Sequence, residues 1–542
     1  MSQVTPLRTQ VLVVGGGLGG VAAALAAARR GVDVVMTEEH PWIGGQATSQ
    51  AVPPDEHPWV EELGTTASYR RFRDGVRAYY RDFYPLTPAA AARAHLNPGA
   101  GWVSKLCHEP RVALAVLEGM LAPYRAAGRV QVLTGLVPVA CDTDGDRVRS
   151  VRLAGTGAGD DRTVEIEAGY VVDATELGDL LPLTGTEYVT GFEAATETGE
   201  PSAPAQAQPE NVQALSVCFA VDHVDGDHTI DRPEQYDRWR AYRPAGWGGP
   251  LLSWQAPNPR TLDLVTRHFE PNPGDDPLAV DADQSADAGD QNLWTFRRVL
   301  AKDLYAPGAF PSDVTLVNWP AIDYFEGTVI DVPAQTAAAH LHDAAQLSLS
   351  FLYWMQTEAP RADGGTGWPG LRLRGDVTGT DHGLAMAPYH RESRRIRALT
   401  TVVEQDVSYA VRGEHGARRY PDSVGIGMYR IDLHPSTGGD SYIDVAACPF
   451  ELPLGALIPQ RTTNLLAGGK NIGTTHVTNG AYRLHPVEWN AGEVAGALAA
   501  RCLLTGSTPH AVHADPRLLA DFQRELQADG VEIRWRRPAR PY

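Results

Sequence analysis

The segment Val11-Leu12-Val13-Val14-Gly15-Gly16-Gly17-Leu18-Gly19-Gly20 decides how this chain is read. Its first four residues form a short β-branched run of the kind that fills a fully buried parallel strand. The run leads directly into a GxGxxG, with Gly15, Gly17 and Gly20 at the three glycine positions that serve a tight turn, close approach of a pyrophosphate and close helix–strand packing. An Ala-rich helix follows. Its free N–H groups and partial positive charge point at the phosphates. Val32-Asp33-Val34-Val35-Met36-Thr37 reads as the second strand, and Glu38, 23 residues after Gly15, ends it. A carboxylate there accepts from both ribose hydroxyls and repels a 2′-phosphate. Strand, glycines, helix, strand and acid in register predict a dinucleotide-binding unit. Gly365 to Gly370 matches the same pattern, but a polar loop precedes it and Pro369 interrupts it, so it is read as a loop and no second nucleotide domain is expected.

The remaining composition narrows the class. The chain has 542 residues, 43% hydrophobic and 21% charged, which is too long for one core and too apolar for disorder. A net charge of -19 argues against nucleic acid or an anionic membrane as partner. Of 47 basic residues only Lys105, Lys302 and Lys470 are lysines, a bias typical of GC-rich genomes. Five scattered cysteines without a CxxC fit a reducing cytoplasm, and neither disulfides nor a metal site is expected. The uncharged stretch Val11 to Ala28 is assigned to the nucleotide unit rather than to a membrane span. Tyr69 to Pro85 interleaves Arg with aromatics, yet Phe72, Val76, Tyr79, Tyr80 and Phe83 recur at helical spacing, predicting a helix with one apolar and one Arg face.

Further motifs carry a resemblance. Glu38-Glu39 through Gly44-Gly45-Gln46 is similar to the "E…GG" segment of glutathione-reductase-type FAD proteins. Val171-Val172-Asp173-Ala174-Thr175-Glu176-Leu177-Gly178-Asp179 resembles their second strand motif, with Glu176 where glycine is usual. Asn464 to Asn471, containing Gly468, Gly469 and Lys470, resembles the last strand and turn at the ribityl chain. Thr475-His476 through Arg483-Leu484-His485-Pro486, then Glu488-Trp489-Asn490 to Gly496, resembles the closing helix that points at the flavin pyrimidine. Together with Asn318-Trp319-Pro320, Asp323-Tyr324, Glu392 to Arg395 and Tyr429 to His434, these features resemble the FAD-dependent oxidoreductases widespread in actinobacteria, over nearly the whole chain. The resemblance implies FAD as cofactor. It implies cofactor contacts from Gly15, Gly17, Leu18, Gly19, Gly20, Glu38, Glu39, Gly44, Gly45, Gln46, Val137, Ala174, Thr175, Gly468, Gly469, Asn471, Glu488, Trp489 and Asn490.

The expected fold is α/β, a discontinuous Rossmann-like FAD-binding domain with an inserted α+β substrate or cap domain. Residues 1–185 form its first part, 186–440 the insert, 441–510 the closing part, and 511–542 a C-terminal helix and tail. Val130 to Leu133, Val148 to Leu153 and Val164 to Ile166 read as a β-meander. Residues 196–210 read as a linker, and the acidic tract Pro271 to Gln291 as an exposed mobile loop. For chemistry, His476, Arg483 and His485 are favoured by their place ahead of the closing helix, one His as base and Arg483 as an anchor for a substrate carboxylate or the flavin. His434 is the candidate from the insert, balanced against a structural role. Asp323 and Arg391, Arg394 and Arg395 bind substrate or form an ion-pair network. Cys107-His108 is read as packing rather than as a nucleophile pair. The expected activity is oxidation of a small molecule by hydride transfer to flavin N5. A flavin monooxygenase and a protein using FAD without redox are the alternatives, and self-association is left open.

Overall fold

The computed structural model describes residues 6–157, 159–280 and 292–536. Much of the acidic tract therefore lies outside the described residues; within its described part, Asp275 pairs with Arg298 at 2.7 Å.

The nucleotide-binding half is built from β1 (Leu7–Val14), α1 (Leu18–Arg29), β2 (Val34–Glu38), α2 (Ala67–Phe83), α3 (Pro110–Ala126), β3 (Val130–Thr134), β4 (Leu136–Asp144), β5 (Arg147–Gly155) and β6 (Thr163–Asp173). The insert contributes β7 (Phe219–His223), β8 (Arg298–Leu300), β9 (Val314–Val317), α4 (Ala334–Thr357) and β10 (Leu371–Leu373). The chain then returns through β11 (Leu465–Ala467), α5 (His476–Tyr482), α6 (His485–Thr505) and α7 (Pro516–Ala528).

The main sheet runs β3-β2-β1-β6 in parallel. β6 then divides its far edge between two partners. Its first half pairs antiparallel with β5, and Val171 to Asp173 pair parallel with β11. Thus β11, nearly 300 positions later, completes the sheet begun at Leu7, so the nucleotide fold is discontinuous in sequence. Two sequence readings change here. Val130 to Leu133 is no meander strand but the parallel edge beside β2. Val164 to Ile166 and Val171 to Asp173 are one 11-residue strand, because Leu7 to Thr9 extend β1 backwards and keep residues 166–168 in its ladder. The meander that remains is β4-β5-β6.

α1 and α6 cross at backbone contact. A Cβ on Gly492 would lie 1.9 Å from the Gly19 carbonyl oxygen, and one on Gly496 2.1 Å from that of Ala23. No side chain larger than hydrogen fits either position. The insert has its own core around the antiparallel sheet β8-β9-β7-β10 and α4, dominated by tryptophans. Trp254, for example, stacks on Phe269 at 4.8 Å and meets Trp354 edge-on at 4.9 Å. The segment expected as a linker is tied down: Ser202 binds Glu404 through its N–H and hydroxyl, at 2.8 and 3.0 Å. No helix among the described residues is long and apolar enough to cross a membrane.

α2 departs from a simple two-faced helix. Tyr69, Phe72, Val76 and Tyr80 are buried as its spacing predicts, but Phe83 is 71% exposed. Arg73 and Arg77 are buried as well, because Glu56 and Glu61 meet them inside. Burial pushes the Glu61 carboxyl up, but Arg73 and Arg77 outweigh it and bring it to about 2. A depressed carboxylate stabilises the fold above its unfolded value and loses that contribution as pH falls toward the folded one. The stabilisation should therefore be complete above about pH 4.5 and disappear toward pH 2. Glu61→Gln should lower the melting temperature at pH 7 and flatten this acid limb; thermal melts from pH 7 to 2 showing the same slope in variant and parent would refute the assignment.

Candidate active site

The glycine turn after β1 shows why the pattern is needed. Gly15 has φ +96°, and a Cβ there would stand 2.2 Å from the Ala174 carbonyl oxygen. Gly17 differs: the atoms nearest its missing Cβ are carboxylate oxygens, Glu176 at 3.1 Å and Glu488 at 3.3 Å. Its open face therefore looks into a cleft and not into packed protein. A cavity of about 440 Å³ begins there, lined by Gly15, Gly17, Glu38, Val137, Ala174 and Thr175 at one end. It continues past Glu176 and His390 to Val217 and the α4 residues Ala337, Leu341 and Ala345.

Glu38 holds the turn. It accepts the Gly16 N–H at 2.7 Å and the His40 N–H at 2.9 Å, and burial nevertheless pushes its carboxyl up to about 8. On the opposite wall Glu488, in the first turn of α6, accepts the Gly19 N–H at 3.3 Å and an amide N–H of Gln46. Gln46 also donates to the Arg483 carbonyl at 3.0 Å, tying the Gly44-Gly45 turn to the start of the closing helix. Lys470 is buried and pairs with Glu176. Burial pushes Glu488 up, while Lys470 outweighs burial at Glu176 and holds it down. Asn471 shapes the last turn, accepting the Gly469 N–H at 3.2 Å and donating to Asp173 O at 3.0 Å.

This donor set fits FAD. Glu38 stands where a ribose would lie, the open Gly17 edge and the start of α1 where a pyrophosphate would lie, and Lys470 supplies a nearby cation. The other residues of the sequence reading sort by geometry. Gly19 and Gly20 serve packing, against the Gly468 and Gly15 carbonyls. Leu18 is core. Trp489 and Asn490 point away from the cleft: the indole N–H reaches the Ser68 hydroxyl at 2.7 Å, and the Asn490 amide reaches Val424 O at 3.4 Å. Glu39 is at the cavity rim.

Beyond the cleft, the four candidate catalytic residues separate. His476 contacts Glu392 at 2.9 Å and stacks on Phe192 at 3.7 Å. Arg395 bridges Glu392 and Glu193, so this is a buried brace between strands and turn. His485 is wholly buried, and burial pushes it down to about 3, so its ring is neutral at pH 7. Its Nδ1 accepts the Asp55 N–H at 3.2 Å, which puts the proton on Nε2 and makes that edge a donor rather than a base.

Arg483 and His434 share one chamber. Arg483 donates to the Tyr389 hydroxyl at 2.5 Å and to Asp432, whose carboxylate is 3.2 Å away. His434 Nδ1 contacts Asp323 at 2.6 Å, and its Nε2 faces Asp432 at 3.7 Å. Arg391 closes the ring on Asp323 at 2.9 Å. Burial pushes Asp323 and Asp432 up, but their Arg and His partners prevail and hold both below the ordinary carboxylate range. Arg394 lies elsewhere, braced by Asp179 and Asp331. Cys107 is fully buried with its thiol pushed up to about 12, which makes it inert as a nucleophile. Sequence reading missed Lys470, Asp55, Arg297, Tyr389, His390 and Asp432 as site residues. Lys470 and Asp432 stood inside quoted motifs, whereas nothing local marks the others.

The fold and cleft define an α/β flavoprotein of the dinucleotide-binding type. The chain belongs to the FAD dependent oxidoreductase family, whose model matches residues 10–526, and FAD is its cofactor. A comparison with curated proteins gives no match. Among solved structures it is similar to L-proline dehydrogenase from P. horikoshii, at 14% identity over 35% of this chain and 25% of that one, TM-score 0.18. It is also similar to the myxobacterial chondrochloren halogenase CndH, at 15% identity over 41% and 45%, TM-score 0.23. A third is the flavin-dependent monooxygenase PieE in complex with FAD and substrate, at 19% identity over 40% and 36%, TM-score 0.24. The chain thus spans less than half of each, and none of their activities is carried over.

Gly17→Asp would add a third carboxylate to the edge already facing Glu176 and Glu488. The variant should fold with an unchanged far-UV spectrum yet weaken FAD binding at least about tenfold, roughly 1.4 kcal/mol. The ratio of flavin to protein absorbance after gel filtration reads this directly, and full retention would refute the placement of the pyrophosphate.

Proposed function

We propose that the protein is a dehydrogenase or oxidase of a small molecule, with His434 as the base that takes the substrate proton. Bound FAD supplies the hydride acceptor. The observation that carries the assignment is the His434–Asp323 contact at 2.6 Å on the rim of the Arg483 chamber. With Asp323 ionised, the Nδ1–H donates to it, and Nε2 is the ring nitrogen left to exchange a proton with substrate. Asp323 is in turn fixed by Arg391 and by the Ser216 hydroxyl at 2.7 Å, so the imidazole has one orientation. Its side chain is 18% exposed, against 1% for His476, so substrate reaches it. As the ring gains a proton, Asp323 and Asp432 stabilise the charge, a role that carboxylates flanking a catalytic His commonly fill. His485, neutral and donating from Nε2, orients an acceptor atom beside the closing helix. Small-molecule turnover in the cytoplasm fits the acidic, cysteine-poor chain.

The test is anaerobic stopped-flow reduction of the bound flavin by candidate substrates. His434→Gln should keep its FAD and slow reduction by about 10²–10⁴-fold, the usual contribution of a positioned base, whereas His476→Gln should act through stability alone. A His434 variant reducing at the parent rate would remove it as the base. Reduction by NAD(P)H followed by oxygen insertion into the ligand would move the protein to the monooxygenases.

A further inference from the structure

Three arginines from distant parts of the chain meet in the chamber. Arg391 and Arg483 both pack on the Tyr389 ring, 5.0 and 5.9 Å from its centre. Arg297 lies across from them, 3.8 Å from Asp55, beyond hydrogen-bond reach. Their donors are not all used. Among the described residues no acceptor meets Nε or Nη1 of Arg297, Nε of Arg391, Nε of Arg483 or the Tyr442 hydroxyl. Tyr442 belongs to the same chamber, edge-on to His434 at 5.4 Å. Guanidinium N–H groups cannot accept, so these vacancies call for an acceptor, and in a buried place a charged one.

The charges lean the same way. Asp323 is shared between Arg391 and His434, and Asp432 between Arg483 and His434. Arg297 has only Asp55, and burial pushes that carboxyl up toward its neutral form despite Arg297 and Arg483 nearby. One guanidinium is thus left without a committed counter-charge. Side chains of Arg297 and Asp432 are 12% and 21% exposed, whereas Arg391 and Arg483, at 2% each, form the floor of the chamber.

We infer that the chamber is a carboxylate-binding site, and that the substrate is a small carboxylic acid whose carboxylate is held by Arg297 with the free N–H groups of Arg391 and Arg483 and the hydroxyl of Tyr442. This rests on the chamber being where His434 acts, and it deepens that reading by naming the substrate class. The Arg297 anchor and the His434 base then act on one bound molecule, and the held carboxylate fixes which carbon is presented for oxidation.

Benzoate and its uncharged analogue benzamide are the probes, titrated separately into the FAD-loaded protein and followed by the flavin absorbance band and the melting temperature. Benzoate should perturb the band saturably and raise the melting temperature, with benzamide binding at least about tenfold more weakly. Arg297→Gln should raise the benzoate Kd by at least about tenfold with FAD retained, and Arg297→Lys should recover part of the loss. Equal binding of the two probes, or benzoate binding unchanged in Arg297→Gln, would overturn the site. The comparison in the parent protein decides the matter even where Arg297→Gln does not fold. His434→Gln keeps the two readings apart: Arg297-dependent benzoate binding with unimpaired flavin reduction in that variant would remove the base and leave the anion site standing.

Discussion

Everything in this fold hangs on a contact between two helix backbones that are almost the whole chain apart. Gly19 and Ala23 of α1 touch Gly492 and Gly496 of α6, with no room for a side chain at either glycine. The contact brings the N-terminus of α6 to within a hydrogen bond of the first turn of α1, through Glu488 and the Gly19 N–H. The two helix ends that matter for a dinucleotide are thereby set by one rigid crossing. One faces the phosphates and the other opens the chamber. Since β11 also returns to pair with β6, the insert is carried on a closed frame and does not dangle from a hinge.

That frame imposes an electrostatic condition on the cleft. A pyrophosphate dianion at the Gly17 edge would face Glu176 and Glu488, with Lys470, paired with Glu176, as the compensating cation. Burial raises Glu38 and Glu488 toward their neutral forms, which lessens the repulsion without removing the acceptors. Glu176 occupies the place where related motifs have glycine, and Lys470 contacts it directly. The buried base thus compensates the added acid.

How much of this was legible in the sequence depends on how local the cause is. The β-branched run, the glycines and Glu38 are adjacent, and steric necessity fixes each of them, so the nucleotide unit could be read outright. The division of β6 between β5 and β11 could not, because it depends on pairing with Leu7 to Thr9 and with a strand nearly 300 residues away. α2 misled for a related reason. Its arginines follow the spacing of an exposed face, yet Glu56 and Glu61 from the preceding loop bury them. The chamber is the mixed case: Asp55, Arg297, Asp323, Tyr389, Arg391, His434 and Arg483 come from six separate stretches, of which Asp323, Arg391, His434 and Arg483 were legible as candidates, whereas nothing local marks Asp55, Arg297 or Tyr389.

His485 at the start of the closing helix and His434 in the insert illustrate how environment, not residue type, divides the chemistry. His485 is in the first turn of α6, where burial, helped by Arg297 and Lys470 nearby, pushes the ring down to its neutral form. His434 is flanked by two aspartates that their arginines keep ionised, so a proton arriving at its ring is met by charge already in place. Position along the chain favours His476, Arg483 and His485, ahead of the closing helix, over His434 in the insert. A group that takes up a proton gains more from preorganised negative charge than from proximity in sequence, and of His485 and His434 it is His434 that has carboxylates at its ring.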